Sequence, residues 1–119
     1  IYMGNGYEMF FYGRKGMPSL NKPGRLNVFD YSPVAASEKD HITEKPITMY
    51  VDLFSTFIGA GSTVMIPFLG SGNGLLAASN LRALGFGFDL SESHRNSYIV
   101  KVNNGEPGEY GDPKPRRSK

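Results

Sequence analysis

Three glycines in five positions, Gly70-Ser71-Gly72-Asn73-Gly74, sit between a short apolar run at 63–68 and a segment with helical spacing at 75–84. Few folds accommodate that order. The apolar run suits a buried strand, the glycines a tight turn, and the apolar positions Ala77, Leu81 and Leu84 the inner face of a helix that Gly85 ends. A second apolar run at 86–90 closes on Asp89, and Ser91 can cap a further helix reaching about Val102. Strand, turn, helix, strand, helix is the alternation of an α/β layer with parallel strands.

The segment ahead of this unit extends the pattern. Pro46 is well suited to open a helix, because its missing N–H costs nothing there. Ile47, Tyr50, Val51, Phe54 and Ile58 then recur on one face, and Gly59 and Gly61 supply a stop. Residues 7–12 are aromatic and bounded by glycine, and residues 26–31 alternate, so both read as strands, paired antiparallel at the front. Between them, residues 13–25 carry Arg14, Lys15, Lys22 and Arg25 among glycines and prolines, the composition of a basic loop. The fold expected is therefore α/β, a mixed sheet with flanking helices, parallel in its second half and antiparallel at the front. Residues 1–102 form the folded part and 103–119, rich in Gly, Pro and charge, a flexible tail. The chain opens on Ile1, with a strand-like segment almost at once, and is expected to continue upstream.

In an open α/β sheet, ligands bind where strands end and helices begin, and the glycine turn occupies that place. Glycines let the backbone approach a ligand, and a carboxylate at Asp89, one βαβ step later, can accept both hydroxyls of a ribose. The site thus suits a nucleoside-containing cofactor. A dinucleotide fingerprint would need glycine where Leu75 stands, and a phosphate loop would need a Gly-Lys-Ser/Thr ending that is absent. The plainer alternative is that the glycines only make a tight connection.

Pro67-Phe68-Leu69-Gly70-Ser71-Gly72 resembles the Pro-Phe-x-Gly-Ser-Gly cofactor motif of DNA methyltransferases that act on exocyclic amino groups. His41-x-Thr43-x-Lys45-Pro46 resembles the His-x-Thr-x-Lys-Pro segment that precedes this motif in circularly permuted members. The resemblance covers about residues 5–102 and implies a partial Rossmann-like methyltransferase sheet that binds S-adenosylmethionine (SAM). By position it implies that Phe68, Gly70, Ser71 and Gly72 line the methionine and sugar side, Asp89 holds the ribose and Leu90 lies beside the adenine. It also implies that Thr43 and Lys45 reach the amino-acid end. Two positions depart from the family: Ile66 stands where an acidic residue is common, and Asn73 where threonine is frequent. The catalytic signature, Asp, Asn or Ser followed by Pro-Pro and an aromatic residue, has no counterpart; Ser32-Pro33-Val34 is the nearest stretch. No catalytic residue is therefore assigned, and the N-terminal part of the same protein is expected to supply it, since permuted members carry the signature upstream.

Composition narrows the rest. At 119 residues the chain suits one small domain, and without cysteine it has no disulfide, thiolate metal site or cysteine nucleophile, which is compatible with cytoplasm. No apolar run approaches the roughly 20 residues that cross a bilayer. A net charge of +2 mildly favours a polyanionic partner, and DNA is the partner expected, through Arg14, Lys15, Lys22 and Arg25. The family's target would be adenine N6 or cytosine N4, in a restriction, phage or regulatory setting. His94 reads as a solvated helix residue, and His41 as part of the Lys-Pro loop. Two other functions remain open: methyl transfer to another substrate class, and a non-catalytic binding module with a degenerate pocket.

Overall fold

A computed structural model describes residues 6–31 and 44–112. Five elements follow in order: α1 (Ile47–Phe57), β1 (Thr63–Ile66), α2 (Asn73–Asn80), β2 (Leu84–Gly87) and α3 (Glu92–Asn104). The strands pair in parallel, with Thr63 opposite Leu84 and Ile66 opposite Gly87. The expected helix–strand–turn–helix–strand–helix order is present, and so is the parallel pairing. β2 begins two residues earlier than the apolar run suggested, and α2 starts within the glycine turn.

The reason α2 stops at Asn80 lies in its exit. Arg82 adopts a left-handed φ of 57°, its N–H donates to the Ser79 carbonyl at 2.9 Å, and the Ala83 N–H donates to the Ala78 carbonyl at 3.0 Å. This is a Schellman ending, normally built on glycine, with arginine in the left-handed position. Gly85, expected to end the helix, lies instead inside β2, where a Cβ would meet the Leu75 side chain.

One face of α1 packs on α2. Ile47, Leu76 and Ala77 are buried, with Tyr50, Val51 and Phe54 of α1, Tyr98 and Val102 of α3, and Tyr110 packed around them. Ala77 and Ala78 are fully covered; Ala77 lies in the α1–α2 contact, where its small side chain lets the helices approach, and Ala78 faces Gly85 of β2. α2 also covers the sheet face that carries Val64, Ile66, Gly85 and Gly87. The opposite face, with Met65, Leu84 and Phe86, is exposed, and among the described residues both outer edges of the sheet lack a strand partner.

The expected antiparallel pair at the front does not form: residues 7–12 and 26–31 carry no strand. Side-chain contacts hold these segments in place of a backbone ladder. Tyr12 stacks on Phe57 with ring centroids 5.4 Å apart, and Phe10 meets Phe29 edge-on at 5.8 Å. Tyr7, Phe11, Leu26 and Val28 stay exposed. An alternating or aromatic pattern marks a chain able to form a strand, but pairing needs a partner edge beside it. The loop between them is anchored at Asn21, whose backbone N–H donates to the Thr56 carbonyl at 2.9 Å and whose side chain reaches the Ser55 and Ile58 carbonyls. Asn21 thereby satisfies carbonyls at the C-terminal end of α1.

The opposite end of α1 is closed from farther away. Pro46, at its N-cap, offers no side-chain acceptor. The Asp112 carboxylate accepts from the Ile47 N–H, the Thr48 N–H and the Thr48 hydroxyl. Residues 105–112, read from composition as tail, are held along the way: Tyr110 and Asn80 exchange two hydrogen bonds, and the Gly108 N–H donates to the Ser79 hydroxyl. No helix among the described residues is long and apolar enough to cross a membrane.

Candidate functional site

Because β1 and β2 are parallel and in register, their carboxyl ends open on the same side. Phe68, Leu69 and Gly70 leave one strand there, and Asp89 and Leu90 leave the other. The backbone continues the pairing past the strands, with the Phe88 N–H donating to the Ile66 carbonyl and the Leu69 N–H to the Phe88 carbonyl. Asp89 is thus brought against the glycine turn.

Asp89 acts as a brace for that turn. One carboxylate oxygen accepts from the Gly70 N–H at 2.8 Å; the other accepts from the Ser91 N–H at 2.8 Å and faces the His94 Nδ1 at 3.1 Å. The Ser91 and Gly70 N–H groups, in that order, hold the Asp89 carboxyl below the ordinary carboxylate value, with a smaller contribution from His94. The carboxylate therefore stays ionised throughout the neutral range. Ser91 also caps α3 as expected, its hydroxyl accepting from the His94 N–H.

The turn needs its glycines for two separate reasons. Gly70 and Gly72 both adopt left-handed φ, 63° and 100°, a region that a Cβ makes costly. At Gly72 space is lacking as well, because a Cβ would run into the ring of Tyr98 from α3. On either side of the turn, Phe68 and Leu90 are almost wholly exposed. A carboxylate between two uncovered apolar side chains can accept hydrogen bonds from hydroxyl groups while the apolar side chains lie against a flat ring.

Behind the turn lies a buried polar cluster. The Ser71 hydroxyl donates to Glu44 Oε1 at 2.7 Å. The Lys101 ammonium, reaching in from α3, contacts the same carboxylate, the Ser71 hydroxyl at 3.0 Å and Asn73 Oδ1 at 3.0 Å. The Asn73 amide donates in turn to the Lys45 carbonyl at 2.8 Å. Glu44, Ser71 and Asn73 are all buried.

The expected cofactor residues thus divide. Phe68, Gly70, Ser71, Gly72, Asp89 and Leu90 come together at the strand ends. The Ser71 hydroxyl, however, faces inward. Lys45 neighbours the turn through its carbonyl, while its ammonium pairs with Glu8 at 2.7 Å. Thr43 and His41 lie outside the described residues. Of the four loop cations, Lys22 and Arg25 converge on Asp52, which also accepts from the Tyr31 hydroxyl at 2.9 Å; Arg14 and Lys15 are exposed.

Sequence reasoning missed His94, Glu44 and Lys101. His94 stands five positions after Asp89, on the first turn of a capped helix, which was a usable signal. Lys101 meets Glu44 across 57 positions, and no local pattern announces that.

No protein-family model matches the chain. A protein of Escherichia coli (strain K12), "Putative methylase YubD", is 28% identical over 96 residues, which is 81% of this chain and 41% of that protein. A crystal structure of an M1.HpyAVI–SAM complex matches with a TM-score of 0.61 at 24% identity, covering 71% of this chain and 44% of the other. That likeness establishes a shared fold. The chain spans about two fifths of the length of each of these two proteins.

Proposed function

We propose that this chain is the SAM-binding portion of a DNA methyltransferase that transfers a methyl group to an exocyclic amino group of adenine or cytosine. The observation that carries the reading is Asp89 placed against a left-handed glycine turn at the carboxyl ends of two parallel strands. The Pro-Phe-x-Gly-Ser-Gly motif, the methylase similarity and the fold shared with a SAM-bound structure support it.

Asp89 takes the ribose. A carboxylate offers about four acceptor directions, and Gly70, Ser91 and His94 occupy three of them. One ribose hydroxyl takes the open direction and the other replaces His94. Leu90 and Phe68 cover the adenine and the methionine chain, and Gly70 and Gly72 keep the turn short enough for both. Ser71 contributes its backbone, because its hydroxyl is turned inward. Lys45 and Thr43 serve the amino-acid end, Lys45 by exchanging Glu8 for the cofactor carboxylate.

SAM supplies an electrophilic methyl on sulfonium, so the protein's task is to hold the two reactants in line. The catalytic Asp/Asn/Ser-Pro-Pro-aromatic signature lies in polypeptide outside residues 1–119, in the remaining part of the enzyme. The exposed face with Met65, Leu84 and Phe86 is the surface on which that part rests. Arg14 and Lys15 contact DNA phosphates, while Lys22 and Arg25, sharing one Asp52, add a single excess positive charge.

A binding module without transfer is the second reading, favoured by Ile66 at the usually acidic position and by the three contacts already on Asp89. Titration calorimetry with SAM tests both. Wild-type binding that falls about tenfold or more in Asp89→Ala, as loss of hydrogen bonds to a charged group should cause, supports the cofactor site; no SAM binding by the wild type sinks it. Methyl transfer to DNA by the full enzyme then separates transfer from binding alone.

A further inference from the structure

The cluster behind the glycine turn is unlike the rest of the molecule. Most of its polar contacts lie near the surface, yet here a carboxylate, a hydroxyl and a carboxamide are buried together and meet one ammonium. Three separate parts of the chain converge: residues 44–45 ahead of α1, the turn with the start of α2, and the last turn of α3. The Lys101 ammonium joins all three, touching Glu44 from the first and both Ser71 and Asn73 from the second. It offers three donors, and among the described residues Glu44, Ser71 and Asn73 accept from it.

We infer that Lys101 is the positioning residue of the glycine turn, clamping Ser71 and Asn73 against Glu44 so that the turn keeps the shape in which Asp89 braces it. Gly70 and Gly72 occupy φ values that glycine enters and leaves readily, so the turn needs an external restraint to stay in one of them. Asp89 supplies one restraint on the outer side, through the Gly70 N–H. The Lys101 cluster supplies the other, on the inner side, between the two glycines and just past them. Asn73 is integral to it: one end of its amide holds the Lys45 carbonyl and the other accepts from Lys101. A threonine there would lack the second arm. The departure at Asn73 and the lysine at 101 are therefore two halves of one device. Its bearing on SAM affinity rests on the proposed function; its bearing on the turn does not.

The test is amide hydrogen exchange of the turn and of the β1–β2 ladder, with SAM affinity measured alongside. Removing Lys101 alone would leave the buried Glu44 carboxylate without the ammonium that contacts it, a change that can unfold a protein. The decisive variant is therefore Glu44→Gln/Lys101→Met, which removes both charges of the pair together, compared with Lys101→Arg, which keeps the donors. The double variant is expected to speed exchange across residues 70–76 by about tenfold, as loss of a buried network should, while the β1–β2 amides keep their wild-type rates. Lys101→Arg is expected to restore slow exchange, and SAM affinity to follow the turn in both. Exchange in the double variant as slow as in wild type, or accelerated equally in turn and strands, overturns the inference. A wild type that fails to bind SAM defeats the proposed cofactor site, and the exchange rates still decide Lys101.

Discussion

Single residues in this molecule carry strain and charge in places that composition does not show. Arg82 is the clearest case of strain. An L-residue in the left-handed region costs roughly 1–2 kcal/mol, and the exposed Arg82 side chain has no packing to offset that cost. Arg82→Gly is expected to raise stability by about 1 kcal/mol, visible as a higher urea midpoint with an unchanged slope. Charge is clearest at Asp89. Its carboxyl is held below the ordinary carboxylate value in the folded chain, chiefly by the Ser91 N–H and then by the Gly70 N–H. A carboxylate with a lowered folded value contributes stability that is full above its unfolded value and is lost as pH falls through the folded one. That window lies at and below the ordinary carboxylate range. Acid titration followed by circular dichroism should show Asp89→Asn losing less stability than the wild type between pH 4 and the acid limit. Asp89 was legible in the sequence because it ends an apolar run one βαβ step beyond the glycines; its partner His94 was read as a solvated side chain, although its place on the first turn of a helix capped by Ser91 was the signal that could have found it.

At the scale of elements, the helices and strands formed where spacing and caps agreed. Pro46, the apolar face from Ile47 to Phe54 and the cap at Ser91 each marked a boundary that the structure keeps. The misread boundaries have two causes. Gly85 looked like a helix stop because glycine usually fills the left-handed exit, yet Arg82 took that place three residues earlier. Residues 7–12 and 26–31 looked like strands because their side chains suit a sheet, and pairing is a non-local event that propensity does not encode. The cap of α1 was hidden for the same reason, since it comes from Asp112. Asp112→Ala is expected to cost about 1 kcal/mol, the usual worth of an N-cap, and to speed exchange of amides in the first turn of α1 while β1–β2 protection is unchanged. A variant as stable as the wild type would mean that water caps the helix equally well.

Among the described residues, the molecule is an α/β layer with one face covered by α2 and the other exposed. Two strands rarely suffice for a stable sheet, and here α2 protects one side while Met65, Leu84 and Phe86 remain open on the other. Exposed apolar surface next to unpaired strand edges favours association. Sedimentation of the isolated chain is expected to show concentration-dependent self-association, and Met65→Lys/Phe86→Lys to abolish it with stability changed by less than about 0.5 kcal/mol, as for substitutions away from a packed core. Self-association that persists in this variant would place the sticky surface elsewhere, at Tyr7, Phe11 and Val28 for instance.

The reach of Asp112 to Ile47 sets the order in which this unit can be finished. A chain emerging from the ribosome presents residues 47–57 long before residue 112, and the two sites are 65 positions apart. During translation the first N–H groups of α1 have only water to accept from them until synthesis has passed α3, and that end frays meanwhile. Its apolar face must then wait for Leu76 and Ala77, and its cap for the strap that follows α3. Among the described elements the first helix is the last to be sealed, so a nascent chain halted just short of residue 112 holds all five of them with the opening turn of α1 still undone.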